Sequence, residues 1–165
     1  MSIDYIVSSL PTLAFNAPAP ISWEKFTQGG GAPLVADPSG AFGGGYLPAP
    51  QEKEWRDLET QLRNAVAEAR GGERFKRPAD GCSLYWKNRV LACFQEKDVA
   101  KRDELLDRVW WDAAGELTPP SEPLGKGALA TYAIRLKIAL KRTSISKDAG
   151  NAAFDRLTAE TKGVL

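Results

Sequence analysis

The sequence predicts an all-α protein: a helical bundle of about five helices with an extended N-terminal arm and a Gly/Pro-rich loop. Apolar residues recur at three- and four-residue spacing through most of the chain after residue 50. Helix-capping residues precede two of these stretches, Asp98 and Ser146, and Ser22 precedes a short earlier one. Gly29, Gly71-Gly72, Gly115 and Pro119-Pro120 supply the stops. The 165 residues form one domain over 1–165, since a chain of this size buries about 70% of its unfolded surface.

The arm comes first. Ile3, Tyr5, Ile6, Val7, Leu10, Leu13 and Phe15 lie close together, and Pro11 forbids a continuous helix through them, so the reading is extended and buried. Ser22 then caps a short helix in which Ile21 packs on Phe26 as a hydrophobic staple, and Gly29 ends it. Residues 29–50 hold seven Gly and four Pro with Asp37 as their sole charge, the composition of a flexible loop or linker. Its two Gly-Gly-Gly runs lack the strand-before, helix-after context of a phosphate loop.

Trp55, Leu58, Leu62, Val66 and Ala69 make Gln51 to Arg70 a helix, with Arg56, Arg63 and Arg70 seven apart on another, solvated face. Ser83 to Gln95 follows, its Leu84, Trp86, Val90, Leu91 and Phe94 spread widely enough for a central helix packed between neighbours. Cys82 and Cys93 flank it too far apart for a disulfide and read as small buried hydrophobes. Asp98 caps a helix through Leu105, Leu106, Val109 and Trp110 to Gly115. Trp110 and Trp111 point about 100° apart, one into the core and the other to the edge or a partner. After the proline break, Lys126 to Arg142 carries the stripe Leu129, Tyr132, Ala133, Leu136 and Leu140. A weaker last helix begins at Ser146.

Charge and composition close several function classes. Lys and Arg number 22 against 21 Asp and Glu, too even for a nucleic-acid module, so no nucleic-acid partner is expected. Histidine is absent, which removes Ser-His and Cys-His nucleophiles and the commonest metal ligand. No metal site, cofactor or catalytic residue is expected; Asp103, Asp107 and Asp112 stand among Arg102 and Arg108, where ion pairing accounts for them. A glycosidase-like pair of acids would need a cleft that a small bundle supplies poorly. With no signal-like N-terminus and no run near the ~18 apolar residues of a membrane span, the expected location is cytoplasmic, peripheral to the inner membrane only through partners.

The strongest charge asymmetry lies between Leu124 and Lys147, six basic residues and no acidic one. Cations near a helix C-terminus complement its dipole and need no partner, or else Arg135, Lys137, Lys141 and Arg142, with Ile134 and Ile138, are the candidate surface for an acidic protein or headgroup-lined partner, and Trp111 is the candidate aromatic contact.

Tyr5, Val7, Ser9-Leu10-Pro11, Leu13 and Phe15, followed by Ile21-Ser22 and Phe26, resemble the start of an uncharacterised bacterial family encoded in V/A-type ATPase operons, whose members stand in for the C-type protein of the central stalk. Leu62-Arg63-Asn64 with Ala67, Ala69 and Arg70 is similar to that family's Leu-Arg-Asn helix. Arg102-Asp103, Leu105-Leu106-Asp107 and Trp111-Asp112 are similar to another of its helices, and Leu129, Tyr132, Arg135 and Leu136 to its late helix. The resemblance implies an all-helical, non-catalytic component that couples the central axle to the membrane ring, its partners being other ATPase subunits and the ATP site lying elsewhere. The alternative is a stand-alone accessory or assembly protein that binds a partner helix or an acidic surface.

Overall fold

The computed structural model describes residues 2–28, 47 and 49–163, with the backbone alone at 49, over 146–153 and at 162–163. The protein is all-α. Helices α1 (Ile3–Ser9), α2 (Trp23–Phe26), α3 (Ala49–Ala69), α4 (Leu84–Cys93), α5 (Val99–Ala114) and α6 (Lys126–Gly163) are accompanied by 3-10 turns at Glu73–Phe75 and Gly115–Leu117. The Gly/Pro-rich stretch expected as a loop over 29–50, with the Gly29 stop, lies largely outside the described residues. Near its end Leu47 is buried.

Several boundaries depart from the sequence expectation. The N-terminal arm is helical over Ile3–Ser9, because Pro11 constrains only its predecessor: Leu10 is extended (ψ 140°) and ends the helix, leaving the earlier residues free. Ile6 is buried there, with Val7 packed beside it, while Tyr5 faces out. Helix α3 starts two residues early, since Pro50 in a first turn forfeits an amide that has no partner in any case. The expected break before Ser146 does not occur. No proline interrupts 126–163, and a capping residue inside a helix does not stop it, so α6 runs 38 residues.

Local signals otherwise behave as read. Ser22 accepts the Lys25 amide and Asp98 those of Ala100 and Lys101. Gly71 adopts φ +73°, and the Gly71 and Gly72 amides reach back to Glu68 (3.0 Å) and Ala67 (2.7 Å), a Schellman stop.

The core gathers Trp55, Leu58 and Leu62 of α3, Trp86 and Val90 of α4, Val109 and Trp111 of α5, and Leu129, Ala133, Leu136 and Ala139 of α6. Helix α4 packs on α3 and α5, while α6 packs on α1, α3 and α5. Helix α4 is thus packed between neighbours as expected, and the first half of α6, with helix contacts on several sides, has Leu129, Ala130, Ala133 and Leu136 fully covered. Cys93 is buried as expected; Cys82, in the extended stretch before α4, is exposed.

That stretch is held by side chains in place of a ladder. Asn64 receives the Arg77 amide (2.8 Å) and donates to its carbonyl (2.7 Å); Gln61 donates to the Asp80 carbonyl (3.0 Å) and accepts the Ser83 amide (2.9 Å). Two amide side chains close to one helical turn apart thus dock the connection onto α3.

Candidate functional site

The basic half of α6 is amphipathic, but Arg135, Lys137, Lys141 and Arg142 each engage groups of the protein itself. Ile134 and Ile138 are buried. Arg135 lies over the Trp111 ring (5.3 Å) and its Nε donates to the Trp111 carbonyl at 3.0 Å. Burial lowers its pKa, and Gly115 makes room for it, since a Cβ there would sit 3.0 Å from its guanidinium. Lys137 stands 4.2 Å above the Trp23 ring, and burial lowers its pKa also. Lys141 pairs with Asp107 at 2.9 Å; Arg142 reaches Asp107 and Glu104, both at 3.7 Å, and covers Phe15 at 4.1 Å.

The candidate partner surface is therefore largely an internal seam. Its anions sit on α5, about one turn apart at 104 and 107, while α6 lacks acids of its own in this half. Ile134, Ile138, Arg135 and Trp111 are corrected from surface to packing residues; Lys141 retains an exposed outer side. Of the adjacent tryptophans, Trp111 is the core member and Trp110 the half-buried one at the edge.

Among the described residues, two of the three aspartates on α5 are paired, Asp107 with Lys141 and Arg142 of α6 and Asp112 with its expected neighbour Arg108 as well as a more distant arginine. Asp112 meets Arg89 (2.9 Å) as well as Arg108 (3.3 Å). Arg102 gives two hydrogen bonds to the Glu96 carbonyl and stacks on Phe94. Asp103 lines a groove of about 470 Å³ between α3, α5 and α6, floored by Val66, Leu106, Trp110 and Ile138 and rimmed by Arg63, Asp107 and Lys141. Among the described residues, no cluster of His, Cys, Asp or Glu could hold a metal ion, and no helix is long and apolar enough to cross a membrane.

Most of the residues named for the resemblance have structural contacts of their own. Tyr132 donates its phenol to the Pro11 carbonyl at 2.8 Å and stacks on Phe26, tying the N-terminal segment to α6; Ser9 bonds within α1 to Ile6, and Leu10 caps it. Leu62 is fully buried, and Arg63 pairs with Glu59 at 3.0 Å. Arg70 lies over Phe94 at 5.8 Å, just beyond the end of α3. Tyr5 is exposed.

Burial pushes the Tyr132 phenol up to about 12. Because the folded pKa exceeds the ordinary value near 10, the neutral form contributes stability that is fully present below pH ~10 and is lost as pH rises from 10 toward 12. Tyr132→Phe is expected to cost about 1 kcal/mol at neutral pH. It should also show a shallower loss of melting temperature between about pH 9 and 11.5 than the parent chain; parallel profiles would show the phenol is not the titrating group.

A second groove, of about 690 Å³, lies on the outer face of α3 beside the 3-10 turn, lined by Arg56, Arg63, Arg70, Phe75 and Arg77 among others. Sequence reasoning leaves Phe75 and Arg77 unassigned. The signal for them is the run Arg74-Phe75-Lys76-Arg77 directly after the Gly71-Gly72 stop and Glu73. No family model matches the chain, and no curated protein or solved structure is similar to it at a significant level.

Proposed function

We propose that the chain is a non-catalytic, C-type component of the central stalk of a bacterial V/A-type ion-translocating ATPase, coupling the central axle to the membrane ring. One observation supports a joining role above the rest. Helix α6, at 38 residues and ~1.5 Å per residue, is about 57 Å long; its first half is packed into the bundle, whereas Phe154 and Leu157, three residues apart in its second half, are 68% and 63% exposed. A helix clamped at one end and carrying uncovered apolar groups at the other suits a protein that links two bodies. The motifs similar to those of the ATPase-operon family point to the assembly it would serve.

The test is purification of the tagged chain from the native host's solubilised membranes at moderate salt. Catalytic, axle and ring proteins of the ATPase are expected to co-purify in fixed ratio, and Phe154→Glu with Leu157→Glu should remove them while leaving the melting temperature unchanged. Recovery of the bait alone would sink the proposal; a transient, salt-labile partner would favour the accessory-protein reading.

A further inference from the structure

Arg56, Arg63 and Arg70 stand a heptad apart along α3 and its final turn. At ~1.5 Å per residue their Cα atoms are about 10.5 Å apart along the axis, and a drift of only ~20° per heptad keeps the row on one face. Beyond Gly71 the chain folds back, and the Asn64 clamp sets Arg77 beside the same face. Phe75 is held against Gly72, where a Cβ would approach its ring to 2.9 Å, yet it remains 66% exposed. Arg56 and Arg63 engage the carboxylates of Glu52 and Glu59, while among the described residues Arg70 and Arg77 have no carboxylate partner. Four arginines thus line a groove, Arg56 and Arg63 already paired and Arg70 and Arg77 without a carboxylate, beside Glu59 and the apolar surface of Phe75 and Val66.

We propose that this groove docks an acidic amphipathic helix of a partner protein, one with Glu or Asp at seven-residue intervals and an apolar residue to cover Phe75. Seven residues is the interval at which side-by-side helices repeat their flanking charge contacts, and a guanidinium engages a carboxylate through two parallel hydrogen bonds. A nucleic-acid strand fits less well: duplex phosphates recur every ~3.4 Å per strand, so most would find no arginine, and a net charge of +1 provides little long-range attraction for a polyanion. This surface is separate from the exposed end of α6, so either assignment can fail without the other.

Fluorescence anisotropy on the full chain tests it with three labelled probes at about 50 mM salt. The first is a helical peptide of about three heptads bearing Glu at every seventh position and Leu beside it. The second has the same composition with the Glu positions shuffled, and the third is an oligothymidylate of similar length. The heptad peptide is expected to bind at least about tenfold more tightly than either control. Arg70→Glu with Arg77→Glu should weaken it by at least about tenfold with circular dichroism unchanged, and Phe75→Ala should weaken it independently. Absent binding, equal binding of the shuffled peptide, tighter binding of the oligothymidylate, or unchanged affinity in the arginine variant would each overturn the proposal.

Discussion

Trp111→Ala is expected to lower the unfolding free energy by about 3–5 kcal/mol, a large share of the ~5–15 kcal/mol that holds a domain together. The indole is 6% exposed, meets the Phe15 ring edge-on at 5.6 Å and supports the Arg135 guanidinium. Removing it opens a cavity between α5, α6 and the N-terminal segment and leaves Arg135 without its stacking surface. Thermal unfolding should shift down by roughly 10 °C or more. Trp110→Ala, at a half-buried edge site, should shift much less. If the two variants melted together near the parent temperature, Trp111 would belong to a partner surface after all.

Gly127→Ala is the second large effect, and its sign is the informative part. In an ordinary helix this change stabilises by about 0.5–1 kcal/mol. Here a Cβ at Gly127 would overlap the Leu117 carbonyl oxygen and lie 3.2 Å from Pro119. The obstacle is backbone from the 3-10 turn that precedes the proline break, so α6 must shift away from Leu117 to admit a methyl group. That shift also disturbs Thr131, whose hydroxyl donates to the Ala114 carbonyl at 2.8 Å and meets Thr118 at 2.7 Å. A net loss of about 2–3 kcal/mol is expected, read as a lower urea midpoint at unchanged slope. A more stable variant would mean that the α6 start is not pressed against this turn.

What is legible in the sequence is local. Helices α3, α4 and α5, the caps at Ser22 and Asp98 and the Gly71-Gly72 stop each depend on residues within a few positions of one another, and each is found close to where its spacing puts it. Helix α1 is legible in principle, since Ile3, Ile6, Val7 and Leu10 follow helical spacing; the proline just beyond it masks that signal without reaching back far enough to forbid the helix. The basic half of α6 is the instructive failure. Its excess of cations looks like a surface awaiting a partner only while α6 is considered alone. Asp107, which takes Lys141 and Arg142, lies 34 residues upstream of Lys141. Charge balance across two packed helices leaves no mark in the composition of either. The same limit hides the Arg77 side of the α3 groove, because the Asn64 clamp spans 13 residues across a chain reversal.

The tie between the N-terminal segment and α6 also sets an order of events during synthesis. The Tyr132–Pro11 and Thr143–Ala19 hydrogen bonds span 121 and 124 residues, and Phe26 completes its stack only when Tyr132 arrives. The first segment therefore leaves the ribosome long before the surface that receives it exists. At ~5–20 residues per second, that interval is on the order of 10 s. Over that time Ile6, Phe15 and Phe26 have no native cover from α6. Closing so long a loop costs entropy that shorter contacts do not, so α3, α4 and α5 can assemble before the segment around Pro11 and Phe26 gains its cover from α6.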